Sequence, residues 1–135
     1  KIIKHPKGNI YHALKKGDRD FVGFGEAYFS TINKNEIKGW IKHLKMKMNI
    51  IVPVGEVSFV LFDDRRNSKS VNNFFSITLS PFNYLRLTIP PGIWCAFKGH
   101  NDNLNMILNI AEMEHHPDEI IRANINDIYF EWESL

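Results

Sequence analysis

Apolar and polar positions along this chain alternate in short runs, with almost no helical spacing. Runs rich in Val, Ile, Phe and Tyr are separated by clusters of Gly, Pro, Asn and Asp, the pattern of an all-β sandwich or barrel. The pattern predicts strands over residues 10–14, 27–32, 37–42, 49–53, 57–62, 74–79, 85–89, 94–97, 106–111 and 128–131. Turns are expected at 16–18, 33–35, 65–70, 80–83, 90–92 and 99–103, where Gly, Pro and Asn supply the required dihedrals or local hydrogen bonds. Residues 18–20 read as a turn rather than a short helix. Pro53 has no N–H to give a sheet ladder, so it marks an edge, a bulge or the end of its strand. Pro90-Pro91-Gly92 forces a bend, and in a small barrel that places the residues after it near the mouth. No repeat, low-complexity tract or linker interrupts the pattern, and residues 1–135 are expected to form one domain.

Composition narrows the function classes. A chain of 135 residues can bury about two-thirds of its unfolded surface, enough for a core without staples. A net charge of +2 is too small to call for nucleic acid as a partner. Lys42, Lys45 and Lys47 make a local basic run that fits a solvated strand face. The single cysteine excludes an internal disulfide framework and favours a reducing compartment. No run approaches 18 apolar residues, so no membrane span is expected, and a cytoplasmic protein is the default.

Several segments, taken in order, point to a family. Residues 54–65 resemble the Gly-x-Val-x-Asp-Val-Ala-Val-Asp-x-Arg segment of the dTDP-4-dehydrorhamnose 3,5-epimerases, with Gly55, Asp63 and Arg65 at matching places. Residues 83–97, through Ile89-Pro90-Pro91-Gly92, resemble that family's Leu-x-Ile-Pro-x-Gly-Phe-Ala-His-Gly-Phe. Asn126-Asp127 and Glu131-Trp132 resemble its closing Trp-Asn-Asp…Ile-x-Trp, so the likeness runs from about Gly25 to Trp132. The resemblance implies a cupin-like double-stranded β-barrel, or jelly roll, that pairs as a homodimer. It also implies action on a nucleotide-diphosphate sugar with a 4-keto-6-deoxyhexose ring, without a metal or organic cofactor.

The same alignment exposes departures. Where the family has Arg-Gly-Leu-His, whose His is the base, this chain reads Lys38-Gly39-Trp40-Ile41. His43 stands two residues on and shares a strand face with Ile41, so it is the replacement base to expect. The family's catalytic Lys falls near Met48 or Asn49, with Lys45 and Lys47 close by to stabilise an enolate. Asn49 is accordingly a substrate-binding candidate. The family's acid Tyr falls near Met113, leaving His115 as a replacement acid, and the His of the Pro-x-Gly segment is Cys95. The segment that supplies a His-orienting Asp in longer enzymes lies beyond Leu135. Epimerisation beside a ketone needs a base titrating near neutrality, an acid on the other face and a counter-charge for the enolate.

Further candidates serve binding. Arg65 and Lys38 suit a diphosphate, as Arg86 does less directly, because a guanidinium fork matches phosphate oxygens. Trp40, Trp94 and Phe97 are either stacking platforms for a sugar or base, or core. By the resemblance, Glu26 reaches a neighbouring subunit's site. His115-His116 sit on opposite faces of an extended chain, so they do not read as a metal pair. Two arrangements of His43 stay open. It faces the cavity as base, or Leu44, Met46, Met48 and Ile50 form the core face and leave His43, Lys45, Lys47 and Asn49 in water. The first fits a nucleotide-sugar 3- and/or 5-epimerase of surface-polysaccharide biosynthesis. The second fits a relative that binds a nucleotide sugar or glycan without turnover, or a partner subunit.

Overall fold

Period-two runs of apolar residues can bury one face only by stacking on another sheet, and the strands of this chain sort into two that do so. A computed structural model describes all of residues 1–135. The strands are β1 (Ile2–Ile3), β2 (Ile10–Tyr11), β3 (Glu26–Thr31), β4 (Ile37–His43), β5 (Met48–Val54), β6 (Val57–Asp63), β7 (Phe74–Leu79), β8 (Leu87–Ile89), β9 (Ile93–Gly99), β10 (Met106–Ala111) and β11 (Ile120–Arg122). One sheet has the order β3-β10-β5-β8 and the other β11-β4-β9-β6-β7; β1 and β2 pair apart as a small ribbon. Every ladder is antiparallel. The only helical elements are 3-10 turns at Pro117–Glu119 and Trp132–Ser134. No helix is long and apolar enough to cross a membrane. The chain is thus all-β, two antiparallel sheets face to face as a double-stranded barrel.

The facing positions make the core. Met48, Ile50 and Val52 from one sheet meet Val57, Phe59, Ile93 and Cys95 from the other in a buried cluster of 14 residues. A second cluster lies on the outer face of the five-stranded sheet, where Trp40, Val60, Trp94 and Ala96 are covered by the C-terminal segment through Ile125, Ile128, Phe130 and Trp132. Main-chain bonds between Trp40 and Ala123, 3.0 Å in each direction, begin that cover.

Two bulges set which side chains face inward. Between β4 and β9 the register runs Lys38↔Phe97 and then Ile41↔Cys95, three residues against two. At Gly39 the chain has φ 144°, and a Cβ there would come within 2.3 Å of the Ala96 Cβ, so glycine is required. The extra residue turns Trp40 and Lys42 outward and leaves Ile41 and His43 facing the barrel interior. Pro53 falls in the second bulge, where β5 runs from Ile51 to Val54 while β10 runs from Leu108 to Met106.

The strand expectations need three corrections. Residues 12–14 are not strand; they hold β8 and its approach, with the His12 carbonyl accepting from the Tyr84 hydroxyl at 3.0 Å and the Ala13 carbonyl from Arg86 at 3.2 Å. Residues 128–131 form no ladder, because their apolar side chains pack flat on the sheet instead. β11, inside a stretch with turn-like composition, pairs with β4 from Ile120↔His43 to Arg122↔Ile41.

Candidate active site

The barrel interior is not completely filled. A narrow, mostly apolar cavity lies between the sheets, and 11 of its 14 lining residues are hydrophobic. Side-chain oxygen and nitrogen atoms come only from Tyr28, His43 and Asn109.

His43 closes β4, and its carbonyl accepts from the Gly92 N–H at 2.7 Å, which ties the strand to the Pro-Pro-Gly bend. Its Nδ1 lies 2.8 Å from Oε2 of Glu119, a residue only 4% exposed at the end of the 3-10 turn before β11. The other oxygen, Oε1, accepts from the backbone N–H groups of Lys45 at 3.0 Å and Met46 at 2.8 Å. Burial by itself raises the Glu119 carboxyl, but the His43 bond and the two amide bonds outweigh it and hold the group below the usual carboxylate value. An ionised carboxylate only accepts, so His43 Nδ1 carries a proton and donates to it, and Nε2 is the ring nitrogen without a partner in the chain. An imidazole oriented by a buried carboxylate is the result.

Tyr28 comes from β3 in the opposite sheet, paired with Asn109 of β10. Partial burial first, and the nearby Glu26 charge second, raise its hydroxyl above the ordinary value, so it stays protonated near neutral pH. Asn109 donates Nδ2 to Ser30 Oγ at 3.1 Å, which leaves its Oδ1 for the cavity. Cys95 also lines the opening, and burial pushes its thiol up to about 12, so it acts there as a small apolar group.

The other candidates are placed differently. Lys45 is exposed in the turn between β4 and β5, outside the cavity, because residues 44–47 leave the strand and the alternation does not carry across them. That same break lets Met46 and Met48 join the core while His43 also faces inward. His115 is exposed on the loop after β10, away from the cavity. Trp40 is fully buried on the outer face, with Nε1 donating to the Ile125 carbonyl at 3.2 Å, and so faces no sugar pocket. Trp94 lies on that face too, donating to Asp64 at 2.8 Å beneath the Lys42 ammonium, 4.6 Å from the ring centroid. Asn49 points away from the interior and accepts from Thr88 Oγ1 at 2.7 Å. Arg86 is engaged by Asp18 at 2.8 Å and the Ala13 carbonyl, so it anchors the N-terminal segment. Glu26 opens β3 opposite Ala111, half-buried beside Tyr28.

Arg65 and Lys38 sit at the borders of the cavity. Arg65 lines a pocket that shares Pro90 and Ile93 with it. Its Nε and Nη2 bind Asp63 at 2.9 Å each, leaving Nη1 without a partner in the chain. Lys38 donates to the Thr31 carbonyl at 2.7 Å and lines a groove that shares Ile41 and Phe97 with the cavity.

Asp63 is the pin of this region. Arg65 first, then the hydroxyls of Ser68 and Ser70 at 2.6 Å each, hold its carboxyl well below the usual carboxylate range despite burial. A depressed folded-state pKa contributes stability that is complete above the unfolded value of about 4 and is lost as pH falls through the folded one. Melting temperature is therefore expected to hold above about pH 5 and drop below pH 4. In Asp63→Asn it should be lower at pH 7 and less dependent on acid; a slope equal to the parent's would remove Asp63 from this account.

No family model matches the chain. An RmlC epimerase from Legionella pneumophila, solved with dTDP-4-keto-L-rhamnose, superposes with a TM-score of 0.81 at 21% identity, over 94% of this chain and 71% of that one, a likeness of fold. A dTDP sugar isomerase from Desulfovibrio desulfuricans superposes with a TM-score of 0.94 at 32% identity, over 100% of this chain and 88% of that one. The chain belongs to the dTDP-4-dehydrorhamnose 3,5-epimerase family. Its barrel is the cupin jelly roll of these RmlC-like proteins. A probable low-salt glycan biosynthesis epimerase of Haloferax volcanii is 23% identical over 84 residues. That match covers 62% of this chain and 54% of the relative, about half its length.

Two residues that the fold brings to this candidate site, Glu119 and Tyr28, are not among the candidates from the sequence. Tyr28 had a signal, since Glu26, Tyr28 and Ser30 put polar atoms on one face of an expected strand. Glu119 had none, because its partner lies far away in sequence.

Proposed function

We propose that the chain is a nucleotide-sugar epimerase that inverts the 3- and/or 5-carbon of a 4-keto-6-deoxyhexose for surface-polysaccharide biosynthesis. The observation that carries this reading is His43 on one wall of the cavity, backed by Glu119, with Tyr28 lining the cavity from the facing sheet. His43 Nε2 removes the proton from the carbon beside the ketone, and the C–H electron pair moves to the keto oxygen as an enolate. Tyr28 then gives its proton to the opposite face of the same carbon, and solvent returns the imidazolium and tyrosinate to their starting forms. Glu119 faces the imidazolium as it forms and keeps the ring oriented, so it is a positioning residue.

In this reading the sugar ring approaches His43 at the cavity and the nucleotide lies outside it. The free Nη1 of Arg65 beside Pro90 and Ile93 suits one phosphate, and Lys38 is the alternative cation, across Ile41 and Phe97. A homodimer belongs to the same reading, because β3 is an open edge with Phe29 63% exposed. Light scattering should give the mass of two chains, and a monomer at working concentration would remove the dimer. A cytoplasmic setting suits the single free cysteine.

The test is deuterium uptake from heavy water into 4-keto-6-deoxyhexoses carried on dTDP, CDP and GDP, read by mass spectrometry. Uptake is expected on at least one. It should slow by roughly tenfold or more in Glu119→Gln, which keeps the shape and loses the charge that fixes the tautomer. No uptake on any of these sugars would end the epimerase reading.

A second reading has one observation in its favour. No lysine or arginine lines the cavity, so no fixed cation faces the enolate. A relative that binds the nucleotide sugar without turnover would give a calorimetric binding signal and no deuterium uptake.

A further inference from the structure

We infer that the cavity selects a 4-keto ring stripped of hydroxyl groups, a dideoxy sugar, over the ring that keeps both of its secondary hydroxyls. The inference rests on the epimerase reading and names the substrate within it. It comes from counting what the cavity can hydrogen-bond.

Of the 14 lining residues only Tyr28, His43 and Asn109 bring oxygen or nitrogen side-chain atoms. His43 Nδ1 is taken by Glu119 and Asn109 Nδ2 by Ser30. That leaves the His43 Nε2, the Tyr28 hydroxyl and the Asn109 Oδ1. The first two are consumed in moving the proton, so one side-chain acceptor remains for everything else on the ring. The rest of the wall is made by residues such as Ile41, Met46, Met48, Ile93 and Phe97, with the Cys95 thiol kept neutral. A 4-keto-6-deoxyhexose brings secondary hydroxyls at carbons 2 and 3. One can donate to Asn109, and no other side chain of the lining offers the second a partner, so desolvating it there carries a penalty. Removing a hydroxyl removes that penalty and matches the apolar wall. An apolar pocket discriminates against an added hydroxyl only up to on the order of a hundredfold, which sets the scale of preference to expect.

The experiment compares dTDP-4-keto-6-deoxyglucose with its 2,6-dideoxy and 3,6-dideoxy counterparts in two readouts. One is kcat/KM for deuterium uptake. The other is calorimetric Kd for the 4-hydroxy forms of the same sugars, which cannot enolise. At least one dideoxy ring is expected to be preferred by roughly 10- to 100-fold in both. Cys95→Ser, which adds one hydroxyl at almost constant volume, should shift the ratio toward the hydroxylated ring, with a melting curve confirming the fold. Uptake with equal or better kinetics on the fully hydroxylated ring overturns the inference and leaves the epimerase reading intact. No uptake on any ring, with the dideoxy preference retained in Kd, ends the epimerase reading and keeps the selectivity. Neither uptake nor preference ends both.

Discussion

In heavy water the His43→Ala chain is expected to take up deuterium about 10²- to 10⁴-fold more slowly than the parent, the range a positioned general base supplies. The upper part of that range is expected because nothing else in the cavity can substitute. The Tyr28 hydroxyl is raised by burial and by Glu26, and burial pushes the Cys95 thiol up to about 12, so neither is a base near neutral pH. Glu119 is close but does not line the cavity, and the Lys45 and Met46 amides hold its other oxygen behind the His43 position. Those amide bonds survive the substitution, so the turn at 44–46 keeps its anchor and the variant should fold. A melting curve near the parent's with uptake abolished gives the result its meaning. Uptake within a few-fold of the parent would remove His43 from the chemistry and turn attention to bound water or to a second subunit.

Trp40→Ala should do the opposite, destabilising strongly while sparing the chemistry. Trp40 has no exposed surface, packs against Trp132 with ring centroids 5.9 Å apart and donates to Ile125. Truncating such a residue costs about 3–5 kcal/mol. At this chain length that lowers the melting temperature by roughly 10–20 °C. Uptake per folded molecule at low temperature should change little, because the indole lies across the sheet from the cavity. Urea titration and the exchange assay on the same sample check both halves. A slow, fully stable variant would put the indole back on the substrate.

The contrast between these two positions shows what the sequence could reveal. Alternation in residues 57–62, 74–79 and 106–111 was legible because those strands have one face in the core and no interruption. Residues 37–43 were legible as a strand, but their faces were not, since the extra residue opposite Ala96 reverses the alternation partway along. That reversal puts Trp40 outside and His43 inside, and no local pattern announces it. The alternation from Leu44 to Ile50 looked continuous across the turn at 44–47, so Lys45 and Asn49 were given a face they do not share with His43. His43 itself was reached through the family's motif, with a shift of register allowed for. Glu119 and the covering role of residues 123–135 depend on contacts across most of the chain, which spacing along one sequence does not carry. Trp94 shows the same limit, since an aromatic after a Pro-Pro-Gly bend fits a barrel mouth and an outer face equally well.

The order of the strands also decides when this site can exist. β3, with Tyr28, finds its sheet partner only in β10, which begins at Met106, and His43 finds Glu119 later still. Pairings between such distant segments close slowly, because the loop entropy is lost before the contact is gained. On the ribosome, β4 through β9 can pair among themselves while β3 waits with an open edge. His43 and Tyr28 therefore meet across the cavity only once nearly the whole chain has emerged, so nascent fragments that keep only the five-stranded sheet lack one wall of the candidate site.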